Sequence, residues 1–245
     1  MIRLELIEFL YRVMEELAKE GVPIVFKGAM VLNLAIRDNN PSKVERATRD
    51  IDGDWTGELP TMEEMEKALR NAVKKVDSSM DIRINRVFGE RKSAGFRIVN
   101  ENGEKVAGVD LSVRQNRFCR PYISYVNGVS IKGASISKML SDKVYAISGE
   151  QVCRRMKDVL DIYVLSFVTE IVAGELYRIW EETGRRLGDF KAFRTKFVEL
   201  KAAYDKMKGI KNKPNFIDVY TRVGNVVETL EQQRETKGFY KDKSI

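Results

Sequence analysis

Histidine is missing from this chain of 245 residues, and cysteine occurs only as Cys119 and Cys153. The first absence excludes Ser-His and Cys-His catalytic groups, histidine-ligated zinc and any imidazole acid or base. The second leaves no CxxC pair and no disulfide framework, so both thiols are expected to be reduced and in or near the core. No apolar run approaches the roughly 20 residues of a membrane span, and no internal repeat or low-complexity tract occurs. A soluble protein without a membrane partner is expected. Its chemistry must come from carboxylates, lysines, backbone groups and bound metal.

The start of the chain, Met1-Ile2-Arg3-Leu4-Glu5-Leu6-Ile7-Glu8, mixes acids into apolar residues and offers no small-residue cleavage site. It reads as an amphipathic helix rather than a signal peptide, with the cytoplasm as the expected compartment. The 43 Lys and Arg against 36 Asp and Glu give +7, and residues 191–245 hold thirteen basic against seven acidic side chains, a surplus of six. That surplus favours a polyanionic partner such as nucleic acid. A solvated, lysine-rich helical surface is the alternative.

Residues 3–20 put Leu4, Ile7, Leu10, Val13, Met14 and Leu17 on one helical face, and Gly21-Val22-Pro23 ends that helix before the apolar strand Ile24-Val25-Phe26. Lys27-Gly28 then leads into an apolar helix over residues 29–36. A polar loop, a short strand around Arg49–Asp54 and a helix over 61–77 follow. From 81 to 131 the apolar period becomes two, with a hairpin signal at Val126-Asn127-Gly128-Val129. After Gly133 the pattern is helical to the end, with breaks near 184–188 and 209–214. Its aromatic stripes, such as Phe190/Phe193/Phe197/Leu200/Tyr204, have core spacing and read as packing. The predicted class is α+β: a mixed sheet flanked by helices over 1–134, then a helical bundle over 135–245.

Asp50-Ile51-Asp52 lies in a strand-like segment, where alternation sends both carboxylates to one face. Paired acids suit a hard divalent cation, although isolated Asp-x-Asp runs also occur as surface features. Gly53 and Trp55-Thr56-Gly57 suggest that the strand is ending, so Asp54 is expected in a turn or cap. In Val109-Asp110-Leu111-Ser112-Val113 the apolar residues share one face and Asp110 takes the other. There it meets either solvent or a compensating cation or donor. Lys27-Gly28, between strand and helix, is the kind of turn where backbone N–H groups hold phosphate, unless the glycine serves only close packing. Lys143 has the phase of the inward stripe Ile136/Leu140/Ile147 and should be paired, reach a ligand or snorkel. Lys157 and Asp161 have i, i+4 spacing and can pair without any function.

In order, Phe26-Lys27-Gly28, Arg46-Ala47-Thr48-Arg49-Asp50-Ile51-Asp52, Asp110, Lys143 and Lys157-Asp158-x-x-Asp161 resemble one family. It is the AbiEii/AbiGii-like nucleotidyltransferase toxins of abortive-infection and toxin–antitoxin systems. The resemblance spans residues 5–168 and implies a core of the polymerase-β type. It implies Mg²⁺ or Mn²⁺ on Asp50, Asp52 and Asp110, and a nucleoside triphosphate held by Lys27 and Gly28 with Arg46 and Lys143 assisting its charge. Asp158 would be the acid of the last motif. It further implies transfer of a nucleotide to RNA, in some members tRNA, and neutralisation by a separate antitoxin protein. The chain departs from the family at Ala29-Met30, where a second small residue and then Ser or Thr is usual, so a hydroxyl that would contact phosphate is missing. Transfer to a small molecule or a protein, and an inactive binding protein of the same fold, stay open as alternatives.

Overall fold

The period-two segments pair into one sheet, and its order shows why the acids share a face. A computed structural model describes residues 2–37, 40–87 and 93–237. The elements begin with α1 (Ile2–Lys19), β1 (Ile24–Lys27), α2 (Gly28–Ile36), β2 (Glu45–Arg46), β3 (Asp50–Trp55) and α3 (Met62–Val76). Next come β4 (Asp81–Arg86), β5 (Ser93–Val99), β6 (Lys105–Val113), β7 (Cys119–Ile123) and β8 (Ser130–Ala134). The remainder is α4 (Ile136–Ile147), α5 (Met156–Val168), α6 (Ala173–Glu182), α7 (Lys191–Thr195), α8 (Phe197–Asp205), β9 (Ile210–Lys211) and α9 (Phe216–Lys237).

Two compact units result, one of residues 1–35 and 47–135 and the other of 36–46 and 136–245. The first holds a seven-stranded mixed sheet in the order β4-β5-β6-β3-β1-β8-β7. β3 runs parallel to β6 and β1 parallel to β8, while the other pairings are antiparallel. Ile51, Phe96, Ile98, Ala107, Val109 and Leu111 alternate onto one buried face. α3 packs against β4, β5 and α1, and α1 also packs against β8. Leu10, Val13, Met14 and Leu17 of the predicted stripe are buried, whereas the side chain of Leu4 lies outside the described residues. α3 opens with a complete capping box, Thr61 receiving the Glu64 N–H while the Glu64 carboxylate receives that of Thr61.

The signal at 126–129 marks a real hairpin with a longer turn. Residues 124–129 join β7 to β8, Ser124 N–H donates to Val129 O at 2.9 Å, and Gly128 adopts φ 71°. Buried Glu15 accepts from both the backbone and the side chain of Asn127, fixing that turn on α1.

The second unit is built from α4 to α9. Within the predicted break at 209–214, β9 pairs antiparallel with β2, setting Glu45 opposite Lys211 and Arg46 opposite Ile210. The stripe from Phe190 to Tyr204 also divides, with α7 and α8 meeting at Lys196 and Phe190 in the left-handed region at φ 55°. The aromatic residues pack as expected. Phe193 stacks on Tyr220 with centroids 4.9 Å apart, and the fully buried Trp180 donates its indole N–H to Ser141 O at 3.0 Å. Trp180→Ala should lower unfolding free energy by about 3–5 kcal/mol, the usual cost of emptying a large aromatic site. A shift of the urea midpoint would measure it, and a near-wild-type midpoint would contradict this account of the core.

Candidate functional site

Asp50, Asp52 and Asp54 occupy alternate positions of β3 and therefore one face of the sheet. The parallel pairing with β6 sets Asp52 opposite Asp110, Asp50 opposite Gly108 and Asp54 opposite Ser112. Asp110 in turn faces Gly95 of β5. Each of three carboxylates lies over a glycine. A Cβ on Gly28 would come 2.3 Å from Asp52 Oδ2, one on Gly108 2.5 Å from Asp50 Oδ1, and one on Gly95 3.3 Å from Asp110 Oδ1. Side chains at these positions would fill the space the acids use. Gly28 carries a second requirement, since its φ of 70° lies in the left-handed region where it opens α2.

Asp50 and Asp110 are half-exposed, and each meets a cation. Arg86 reaches Asp110 at 2.6 Å, and Lys105 approaches Asp50 at 3.9 Å. Among the described residues no group of three or more carboxylate, cysteine or histidine side chains is gathered closely enough to hold a metal ion by itself.

Asp54 overturns the expectation of a turn or cap. β3 continues through Trp55, and the Asp54 side chain is fully buried. Its Oδ1 accepts from the Lys27 ammonium and from Arg114 Nε at 2.8 Å, and its Oδ2 accepts from Asn116 Nδ2 at 2.9 Å. A buried carboxylate needs such partners. Lys27 therefore points along the sheet toward Asp54, with Ser112 Oγ 3.4 Å away. Sequence reading missed Arg114 and Asn116, which lie just beyond the end of β6. The available signal was a third acid in phase with Asp50 and Asp52.

In the second unit, Asp161 on α5 is almost wholly enclosed. Arg46 grips it through two nitrogens, at 3.1 and 3.0 Å, and Lys143 of α4 donates to it at 2.5 Å. This corrects the i, i+4 reading, because Asp161 is paired with Arg46 and Lys143 while Lys157 is exposed. Lys143 lies 3.5 Å from Asp158, whose side chain retains 21% of its exposure. Arg46 and Lys143 are thus both engaged by carboxylates of this unit.

Burial pushes the Asp161 carboxyl up, but Lys143 and Arg46 outweigh it and hold the group below its ordinary value. Burial likewise opposes the charge on Lys143, and Asp161 with Asp158 reverses the sign, leaving that ammonium above its ordinary value. Asp158 moves the other way, raised first by burial and then by Asp161, with Lys143 offsetting only part. The stabilisation from Asp161 is complete above the unfolded carboxyl value of about 4 and is lost as pH falls through the lower folded value. Asp161→Asn should therefore cost about 3–5 kcal/mol at neutral pH, because two cations lose their buried counterion. Urea titrations at several pH values should show that gap closing only in acid. Lys157→Ala should leave the midpoint unchanged.

Comparison with known proteins gives the fold and the family. A sequence search of curated proteins finds no match. Among solved structures, the nucleotidyltransferase toxin MenT4 (Rv2826c) of Mycobacterium tuberculosis H37Rv superposes with a TM-score of 0.58 at 14% identity, covering 97% of this chain and 88% of that one. JHP933 from Helicobacter pylori gives 0.51 at 14% identity, with 98% of each chain covered. At such identities the likeness concerns the fold. The family model of the nucleotidyl transferase AbiEii toxins matches residues 8–216, from α1 to the first residue of α9, and so takes in both clusters. The chain is a nucleotidyltransferase and belongs to the nucleotidyl transferase AbiEii toxin family of Type IV toxin–antitoxin systems.

Proposed function

We propose that this protein transfers a nucleotide from a nucleoside triphosphate to RNA, with tRNA as the acceptor, in a reaction that depends on Mg²⁺ or Mn²⁺. The observation that carries the reading is Asp52 opposite Asp110 on adjacent parallel strands, with the Gly28 and Gly95 positions open beside them. Strands lie about 4.8 Å apart, so two carboxylates in this register are within reach of one hard cation. Mg²⁺ is commonly held by one or two carboxylates together with substrate phosphates and water rather than by an all-protein cage. Asp52 and Asp110 would be its ligands, with Asp50 alongside. A divalent cation supplies charge on the phosphate oxygens and keeps the attacking and leaving oxygens in line.

The chain's own groups do the rest. The first turn of α2 has backbone N–H groups without intrahelical acceptors, and they receive phosphate oxygens where the family uses a hydroxyl. Met30 is buried, so binding at this turn rests on the backbone. Lys27 has three donors, and its side chain keeps 21% exposure while Asp54 fixes it in position. It contributes charge beside the triphosphate. The attacking hydroxyl gives its proton to Asp110, a bond forms from its oxygen to the α-phosphorus, and pyrophosphate leaves with the bridging oxygen. Arg46 and Lys143, both held by Asp161, would assist with phosphate charge. The raised pKa of Asp158 makes it the more basic carboxylate of that cluster.

An RNA acceptor is supported by the exposed Lys191, Lys201, Lys206, Lys208 and Lys211 of the second unit. Family membership supports a separately encoded antitoxin and a cytoplasmic location. Among the described residues no helix is long and apolar enough to cross a membrane.

Incubation with labelled triphosphates, Mg²⁺ and tRNA should label the RNA. Asp52→Ala should reduce the rate by about two to three orders of magnitude, the scale of losing one electrostatic contact to the transition state. An unchanged rate in that variant, or label on protein or a small molecule only, would overturn the reading. Gly28→Ala meets both the left-handed backbone and the Asp52 carboxylate. It should abolish calorimetrically detectable triphosphate binding, and wild-type binding would refute the role of this turn.

A further inference from the structure

Arg86 reaches the acidic face only because β4 is irregular. Regular pairing from Ile84 opposite Phe96 would set Asn85 opposite Gly95 and turn Arg86 to the other face. The register instead shifts between Ile84 and Arg86, so that Arg86 itself faces Gly95. A bulge of this kind re-aims a side chain. The missing side chain at Gly95 completes the path, since a Cβ there would lie 3.4 Å from Arg86 Cβ and 3.3 Å from Asp110 Oδ1. Across that gap the guanidinium donates to Asp110 at 2.6 Å. The partners are 43% and 49% exposed, and ion pairs so open to water add little to folding stability. Bulge and glycine together thus aim an ion pair that adds little to stability.

We propose that Arg86 is an internal competitor for the cation site, neutralising Asp110 while no divalent cation is bound and giving it up when one binds. This rests on the reading of Asp110 as a cation ligand. Released, the guanidinium presents a planar fork of donors on the face that carries Lys27, suited to phosphate oxygens. Cation entry and triphosphate binding are thereby coupled: the ion that takes Asp110 frees the arginine for the nucleotide. The empty protein meanwhile avoids an uncompensated pair of acids.

The test is Mn²⁺ binding to the full chain without nucleotide, read from the paramagnetic resonance signal of the free ion, with circular dichroism showing that each variant is folded. Asp110→Asn should weaken binding at least about tenfold, whereas Arg86→Gln should tighten it about two- to fivefold, the range for one exposed ion pair. Arg83→Gln, which removes an equal charge from the same strand, should leave the affinity unchanged. If Asp110→Asn weakens binding but Arg86→Gln leaves it unchanged or weaker, this inference fails and the cation reading stands. Equal tightening by Arg83→Gln also overturns it, since the effect is then one of overall charge. If Asp110→Asn binds Mn²⁺ as the wild type does, the cation reading fails and this inference with it.

Discussion

Like charges held opposite one another on neighbouring strands repel, and the face of this sheet that carries Asp52 opposite Asp110 is organised around that constraint. Its neighbours respond in two ways. Glycines at 28, 95 and 108 leave the carboxylates room, and cations at Arg86 and Lys105 approach Asp110 and Asp50. On this face the positive charge beside Asp50 and Asp110 comes from the chain's own side chains.

The second cluster answers burial rather than repulsion. Asp161 cannot keep a charge inside the second unit without Arg46 and Lys143, which in turn could not be enclosed there without Asp161 and Asp158. Asp54 with Lys27, Arg114 and Asn116 repeats the principle in the first unit. Each cluster has a fully satisfied anion at its centre and a partly exposed group at its edge. The enclosed member holds position, and the edge member keeps contact with solvent.

The sequence was most legible where periodicity is strong. β3, β6, the helix after Lys27-Gly28 and the long helical part were all readable from alternation and stripes, because burying one face demands those spacings. Asp50, Asp52 and Asp110 share a face for the same reason. Asp54 was misread because Gly53 suggests a strand end, whereas this glycine sits beneath Ile24 and Leu111, where a Cβ would approach Ile24 to 2.7 Å. The partners of Asp161 were illegible because Arg46 lies 115 residues away, beyond any helical periodicity. The bulge that turns Arg86 depends on pairing with β5 and leaves no trace in the composition of β4.

The short pairing of β2 with β9 has a consequence for the order in which the chain matures. Glu45 and Lys211 are 166 positions apart, and the segment 36–46 that carries β2 interrupts the first unit while belonging to the second. During synthesis domains tend to fold as units, the N-terminal one first. β2 and Arg46 must then wait on the ribosome, excluded from the unit forming on either side of them, until the helices that complete their surroundings emerge. Assembly of the Asp161 cluster is thus a late event, and a ribosome that stalls within α4 leaves Arg46 without its counterion.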